Sequence, residues 1–271
     1  MNSSAHLSQT LQAVLDISVE AGNRIMAVYG SEDFGVTSKD DASPLTQADL
    51  AAHRHIVAEL EKLDPKYPVL SEEDADIDWA TRQSWTRYWL VDPLDGTKEF
   101  IKRNGDFTVN IALIENGTPI MGVVHAPALN ITYLAAEGEG AFKIENGSRS
   151  SITTRKVPKV PAFVVSRSHK DEKLARLLDA APEHEAVSRG SSLKFCQVAE
   201  GSADLYPRTG PTSEWDTAAG QCVAEQAGAQ VLRLPELTRL SYNQKESLLN
   251  PLFAVIADPT HDWLPLLKTV G

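Results

Sequence analysis

The sequence predicts a mixed α+β / α/β protein, and three observations carry that expectation. Two amphipathic helical patterns lead the chain, a block of short apolar runs with a hairpin signal follows from Tyr67, and strand-like and helical patterns alternate beyond residue 158. With 271 residues the chain can bury a core as one large domain or two small ones without disulfides. The predicted division is an N-terminal α+β half with an antiparallel sheet, 1-157, and a C-terminal α/β half, 158-271.

Leu7, Leu11, Val14, Leu15, Ile25 and Met26 recur near helical spacing, which predicts a helix from about residue 6 until Tyr29-Gly30 stops it. The stretch SEDFGVTSKDDASP is too rich in Gly, Ser, Asp and Pro for regular structure and reads as a loop. A second helix has Thr46 near its start, Leu50, Val57 and Leu60 along its buried face, and Pro65 beyond its end. It delivers Asp49 to its first turn. The runs YPVLS, RYWLVD, FTVNIALIEN, TPIMGVVHAP and ITYLAAEGEG then describe a largely antiparallel sheet, with Asn116-Gly117 as a hairpin turn between the third and fourth. Pro158 and Pro161 precede AFVVSRSH and open the second half. There the helical KDEKLARLLDAA, SLKFCQVAEG and WDTAAGQCVAEQAG alternate with the strand-like EAVSRG, ADLYP and AQVLRL, before a last strand LFAVIADP and a last helix HDWLPLLKTV.

A net charge of −11 counts against a sequence-independent nucleic-acid binder, which gains most of its affinity by matching cations to phosphates. Small phosphorylated ligands stay compatible, because a local basic patch or a bound metal inverts the field. Cys196 and Cys222 fall in helical segments with apolar neighbours and read as buried free thiols. The opening MNSSAHLSQTLQAVLDI has no basic n-region, and no apolar run approaches the roughly 20 residues of a spanning helix, so a cytoplasmic enzyme is the simplest class.

Hard divalent cations bind through oxygen, and three segments could supply it: Ser71-Glu72-Glu73-Asp74, Asp92-Pro93-Leu94-Asp95 and Glu214-Trp215-Asp216. Alone, each reads as a solvated acidic loop. The second differs, because Asp92 stands where the apolar strand Tyr88 to Val91 ends, and a charge there costs free energy unless compensated. Pro93 restricts Asp92 to an extended conformation and Gly96 permits a turn, so both carboxylates and the carbonyl between them can converge. A metal is the economical explanation; a turn stapled by aspartate side chains is the alternative.

Taken in order, Glu72-Glu73 after an apolar strand, WLVDPLDGT, and EWDTAAG at a helix start give a chain that resembles a known superfamily. It is that of the magnesium-dependent, lithium-sensitive sugar and nucleotide phosphatases, which includes inositol monophosphatase and fructose-1,6-bisphosphatase. GTKEFIKRNGDFTVNIALIENG and YPRTGPTSEWDTAAG resemble its 3′(2′),5′-bisphosphate nucleotidase branch, whereas inositol monophosphatases more often have Asn where Glu99 stands and lack the Arg-Thr-Gly-Pro-Thr run. The resemblance implies a layered αβαβα sandwich of the inositol monophosphatase / fructose-1,6-bisphosphatase type, holding two to three Mg2+ ions. Glu72, Asp92 and the Leu94 carbonyl would hold the first ion, at which the attacking water is bound. Asp92, Asp95 and Asp216 would hold the second, and a weaker third would sit beside Glu72. Asp49 and Thr97 would form the proton relay. Ser166, His169, Gly190 and Lys194 match nucleotide contacts, with Lys194 a cation for a second phosphate, and Glu72, Leu94, Asp95, Gly96, Thr97 and Asp216 would border the substrate.

Read by themselves, His169 is a surface loop residue and Lys194 a solvated helix residue. Arg208 either approaches the substrate or pairs with Glu214, and Trp215 reads as packing. The implied activity removes the 3′-phosphate from 3′-phosphoadenosine 5′-phosphate, and from its sulfated analogue, in sulfur metabolism. The alternative is the same chemistry on inositol phosphates or another sugar phosphate. A silent phosphate-binding protein has no chemical reason to keep Asp49, Glu72, Asp92, Asp95, Thr97 and Asp216 together. The expected partner is a small nucleotide bisphosphate, with no nucleic-acid polymer and no transmembrane segment. The expected state is a monomer or homodimer, and the resemblance leaves peripheral attachment to the inner face of the cell membrane open as the alternative to a purely cytoplasmic place, although nothing in the chain provides an anchor.

Overall fold

The computed structural model describes residues 2–31, 37–38, 44–166 and 171–270, with side chains over 9–31, 46–165 and 171–270. In chain order its elements are α1 (Asn2–Tyr29), β1 (Thr37–Ser38), β2 (Pro44–Leu45), α2 (Gln47–Leu60), β3 (Val69–Ser71), α3 (Trp79–Arg82), β4 (Arg87–Asp95), α4 (Thr97–Ile101), β5 (Thr108–Glu115), β6 (Thr118–Ala126), β7 (Ile131–Ala136), β8 (Gly140–Glu145) and β9 (Ser148–Ile152). The second half adds β10 (Ala162–Ser166), α5 (Glu172–Ala180), β11 (Glu185–Arg189), α6 (Leu193–Ala199), β12 (Leu205–Arg208), α7 (Ala218–Gln226), β13 (Gln230–Arg233), β14 (Phe253–Ile256) and α8 (Leu264–Leu267).

Side-chain alternation along β4 generates the layering. Trp89 and Val91 join a core with Leu11, Val14 and Ile25 of α1 and Ala52, Ile56 and Leu60 of α2. Tyr88 and Leu90, on the opposite face, join Phe195, Cys196, Ala219, Cys222 and Val223 of α6 and α7. The same core takes in Val164, Tyr206, Phe253 and Val255 of the second sheet, whose other face packs Phe163, Leu205, Ala254 and Ile256 against Leu177 of α5 and Leu266 and Leu267 of α8. The order of layers is thus α1/α2, large sheet, α6/α7, small sheet, α5/α8, the αβαβα sandwich. The central core draws residues from both halves of the chain.

The large sheet runs β3-β4-β5-β6-β7-β8-β9, with β3 parallel to β4 and the rest antiparallel. The small sheet runs β11-β10-β12-β14-β13, with β10 parallel to both neighbours and β14 antiparallel to both of its own. Both cysteines are buried and free. No helix among the described residues is long and apolar enough to cross a membrane.

The structure corrects the sequence reading in four places. The stretch 31–44, expected to be a loop, holds β1 and the first residue of β2, a short antiparallel pair. The buried row of α2 is Ala48, Ala52, Ile56 and Leu60, so Leu60 is buried as expected, while Leu50 and Val57 are only half-buried and two alanines and Ile56 fill the row instead. Strands β8 and β9 went unread because β9, Ser148–Ile152, is a polar, mostly exposed edge with no apolar alternation. Finally, β4 does not stop at Asp92 but continues to Asp95.

Candidate active site

Asp92 and Asp95 are an odd number of residues apart, and on a regular strand they would face opposite ways. In β4 they do not. Asp92 pairs with Asn110 and Asp95 with Thr108 of β5, so three steps on one strand match two on the other. The extra residue is a β-bulge, a place where the donor-less Pro93 costs no ladder bond. Leu94 N–H donates to Asp92 Oδ1 at 3.0 Å, which pins the bulge. Glu72 is brought alongside by the parallel pairing of β3, as its N–H donates to the Val91 carbonyl at 3.1 Å. Asp216 arrives from the other half at the end of a 3-10 turn, where its Oδ2 accepts the Ser213 N–H at 2.8 Å. One carboxylate oxygen each of Asp92, Asp95 and Asp216 lies within 4.8 Å of the others.

Burial pushes the Asp92 carboxyl well above the ordinary carboxylate range, and the charges of Glu72, Asp95 and Asp216 push it further. Burial also raises Asp95, with Lys194 and hydrogen bonds from Ser192 and Asn110 pulling back. Asp216 is raised by burial and then by Asp95 and Glu72. Crowded carboxylates that resist ionisation are the electrostatic complement of a multivalent cation. The all-oxygen donor set is of the kind that hard divalent cations take. Beside the cluster, Thr108 Oγ1, Asn110 Oδ1 and Ser191 Oγ are buried without a protein partner among the described residues, a polar lining suited to the waters such an ion retains.

Asp49 sits at the third position of α2, where its Oδ2 accepts from the Thr46 N–H at 2.8 Å in a capping box. Its Oδ1 faces the site and accepts from the Thr97 hydroxyl at 3.2 Å, while that hydroxyl also lies 3.3 Å from the Leu94 carbonyl. Thr97 opens α4, entered through Gly96 at φ +91°, a conformation that side chains disfavour. The pairing of Asp49 with Thr97 is therefore present, and the Leu94 carbonyl lies at the same turn.

Lys194 is not solvated. It is 6% exposed, its Nζ donates to the Ser191 carbonyl at 2.6 Å, and burial lowers its pKa to about 8 against the opposing pull of Asp95. Gly190 donates its N–H to Asp106 Oδ2 at 3.0 Å, and a Cβ there would stand 2.7 Å from the Asp106 carbonyl oxygen. Its lack of a side chain allows the two halves to touch. Arg208 is buried, with Nη2 donating to the Pro211 carbonyl at 2.7 Å, and Glu214 accepts instead from the Asn243 N–H at 2.8 Å. Trp215 packs against the central core, as read. Ser166 ends β10 with its side chain outside the described residues, and His169 lies outside them altogether.

Sequence reasoning missed Asn110, Ser192 and Asp106. Asn110 Nδ2 donates to Ser192 Oγ at 2.9 Å, and Ser192 Oγ lies 3.1 Å from Asp95 Oδ2. Asp106 Oδ1 accepts from Arg189 at 3.1 Å in addition to its bond to Gly190. The one signal available was Asn110 itself, a polar residue in the apolar run FTVNIALIEN.

The model of the inositol monophosphatase family matches residues 6–261. The chain is 55% identical over 246 residues to the 3′(2′),5′-bisphosphate nucleotidase CysQ of Salmonella typhimurium, covering 90% of this chain and 98% of that protein. Among solved structures, CysQ from Bacteroides thetaiotaomicron superposes with a TM-score of 0.81 at 42% identity, over 92% of this chain and 97% of that one. The Thermotoga maritima IMPase superposes with a TM-score of 0.76 at 26% identity, over 97% and 96%. Sequence, layered fold and carboxylate cluster agree: the chain belongs to the inositol monophosphatase family.

Proposed function

We propose that this protein is a magnesium-dependent 3′(2′),5′-bisphosphate nucleotidase that removes the 3′-phosphate of 3′-phosphoadenosine 5′-phosphate to give AMP and phosphate. The observation that carries a phosphatase is the convergence of Asp92, Asp95 and Asp216 from two halves of the chain. The nucleotidase branch is supported by the 55% identity to CysQ. The proposal includes magnesium as the ion, two to three per site, the sulfated analogue as a second substrate, a place in sulfur metabolism, and the division of the chain near residue 158.

Asp92, Asp95 and Asp216, with Glu72 and the Leu94 carbonyl, would hold the ions. When bound, magnesium supplies charge neutralisation for the transferring phosphoryl group and lowers the pKa of water. The chain itself supplies the proton path. Because the Thr97 hydroxyl donates to Asp49 Oδ1, its lone pairs can accept a proton from water as its own proton passes to Asp49. Thr46 N–H and hydroxyl hold Asp49 Oδ2, leaving Oδ1 aimed at Thr97. Lys194 offers a buried ammonium to the second phosphate.

Phosphate release measured with magnesium on the adenosine bisphosphate, inositol 1-phosphate and fructose 1,6-bisphosphate tests the reading. The bisphosphate is expected to turn over fastest; preference for either sugar phosphate overturns the nucleotidase assignment. Asp95→Ala is expected to abolish turnover without loss of cooperative unfolding, since it removes the charge that repels Asp92 and Asp216. Surviving activity would rule out the metal set.

A further inference from the structure

Asp95 and Asp216 come from opposite halves of the chain, and one small side chain reaches both residues. The Ser192 hydroxyl shares its one hydrogen between the Asp216 main-chain oxygen at 2.6 Å and Asp95 Oδ2 at 3.1 Å, and the Ser192 main-chain N–H also bonds to the Asp95 carboxylate. Asn110 Nδ2 donates to Ser192 Oγ at 2.9 Å and reaches Asp95 Oδ2 at 3.5 Å. Both side chains are held rigidly. Asn110 stands opposite Asp92 in the β4–β5 register, and Ser192 follows Gly190, whose N–H is bound to Asp106. At 1% exposure each, neither competes with water for these bonds.

A carboxylate turns freely about its last torsion, so a ligand oxygen is placed only when its partner oxygen is held. The cluster makes that holding matter, because the charges of Asp92, Asp95 and Asp216 oppose their own approach. We propose that Ser192 is the positioning residue that sets the divalent-cation affinity of this cluster, by tying the Asp95 carboxylate to the Asp216 main chain with Asn110 holding it in place. Without the hydroxyl, Asp95 keeps the bonds from the Ser192 main-chain N–H and Asn110 but loses its link to the Asp216 main chain, so its Oδ2 is less firmly placed and the ion must fix it on binding. The inference rests on reading the cluster as a cation site.

The test is titration of Mn2+ into the chelator-treated full chain without substrate, following free ion by electron paramagnetic resonance, with Mg2+ as competitor. Ser192→Ala is expected to raise Kd by about 10-fold or more, the usual effect of losing an outer-shell partner. Ser192→Thr restores most of that affinity, and the metal-free unfolding temperature moves little. Asn110→Ala weakens binding too, and its effect does not add to that of Ser192→Ala, because both act through one tether. Asp95→Ala separates the two levels of the argument. If Asp95→Ala still binds Mn2+ normally, the cation-site reading itself fails. If Asp95→Ala loses binding while Ser192→Ala binds like the parent protein, the positioning role alone is overturned. A Ser192→Ala defect matched by a fall in metal-free unfolding temperature, and not rescued by threonine, marks a packing role and overturns it as well.

Discussion

Thr97 and Lys194 divide chemistry from binding at the scale of single residues. The Thr97 hydroxyl is bonded at 3.2 Å to a carboxylate that is itself fixed by a helix cap, so removing the hydroxyl breaks the proton path and leaves the fold in place. Thr97→Val, which keeps the shape, is expected to lower kcat by about 10²–10⁴ with little change in KM, and Thr97→Ser to keep most activity. Steady-state kinetics on the bisphosphate decide it; a KM effect alone places Thr97 in binding only. Lys194 works the other way. A charge-assisted bond to a phosphate remote from the reacting one is worth about 1.5–3 kcal/mol, so Lys194→Met raises KM by roughly 10- to 100-fold. An unchanged KM removes Lys194 from the substrate site.

At the scale of elements, what could be read from sequence was whatever local chemistry enforces. DPLDGT announces itself because proline, two aspartates and glycine leave a strand few conformations, and Thr46-x-x-Asp49 announces a helix start. The bulge that turns Asp92 and Asp95 to one side was not legible, since it lies in the register against β5. Ser192 was hidden for the same reason, and Asn110 showed only as a polar residue in an apolar strand: what each touches is set when the small sheet and α6 pack on the large sheet. The close contact of β6 with α7 is another such feature. A Cβ at Gly122 would stand 2.5 Å from the Ala219 carbonyl oxygen and 2.9 Å from Cys222 Cβ, so α7 can only lie on the sheet over a glycine. Gly122→Ala is expected to cost about 1–3 kcal/mol in urea unfolding, the usual cost of overpacking. Because α7 begins just after Asp216, the same variant needs more magnesium for half-maximal rate. A variant with normal magnesium dependence but lowered stability would show that α7 shifts without carrying Asp216 along.

For the whole molecule, acid stability is set partly far from the carboxylates, where α1 crosses the large sheet. His125 of β6 is 5% exposed, its Nδ1 bonded at 2.8 Å to Thr132 Oγ1, and its ring so close to α1 that a Cβ at Gly22 would stand 2.6 Å from it. Burial holds this imidazole down to about 4, against an ordinary value near 6.5. Below pH 6.5 the unfolded chain therefore takes up a proton that the folded protein refuses until about pH 4. The stabilisation is complete above that window and drains away as pH falls through it. At about 1.4 kcal/mol for each pH unit, the loss reaches roughly 3 kcal/mol across the window. His125→Gln keeps a polar, neutral side chain and removes the titration, so its unfolding free energy should decline less steeply between pH 6.5 and 4. Urea denaturation of both proteins across that range measures the difference directly. Parallel curves would mean that the folded protein takes up this proton as readily as the unfolded chain does, and that burial does not hold the imidazole down.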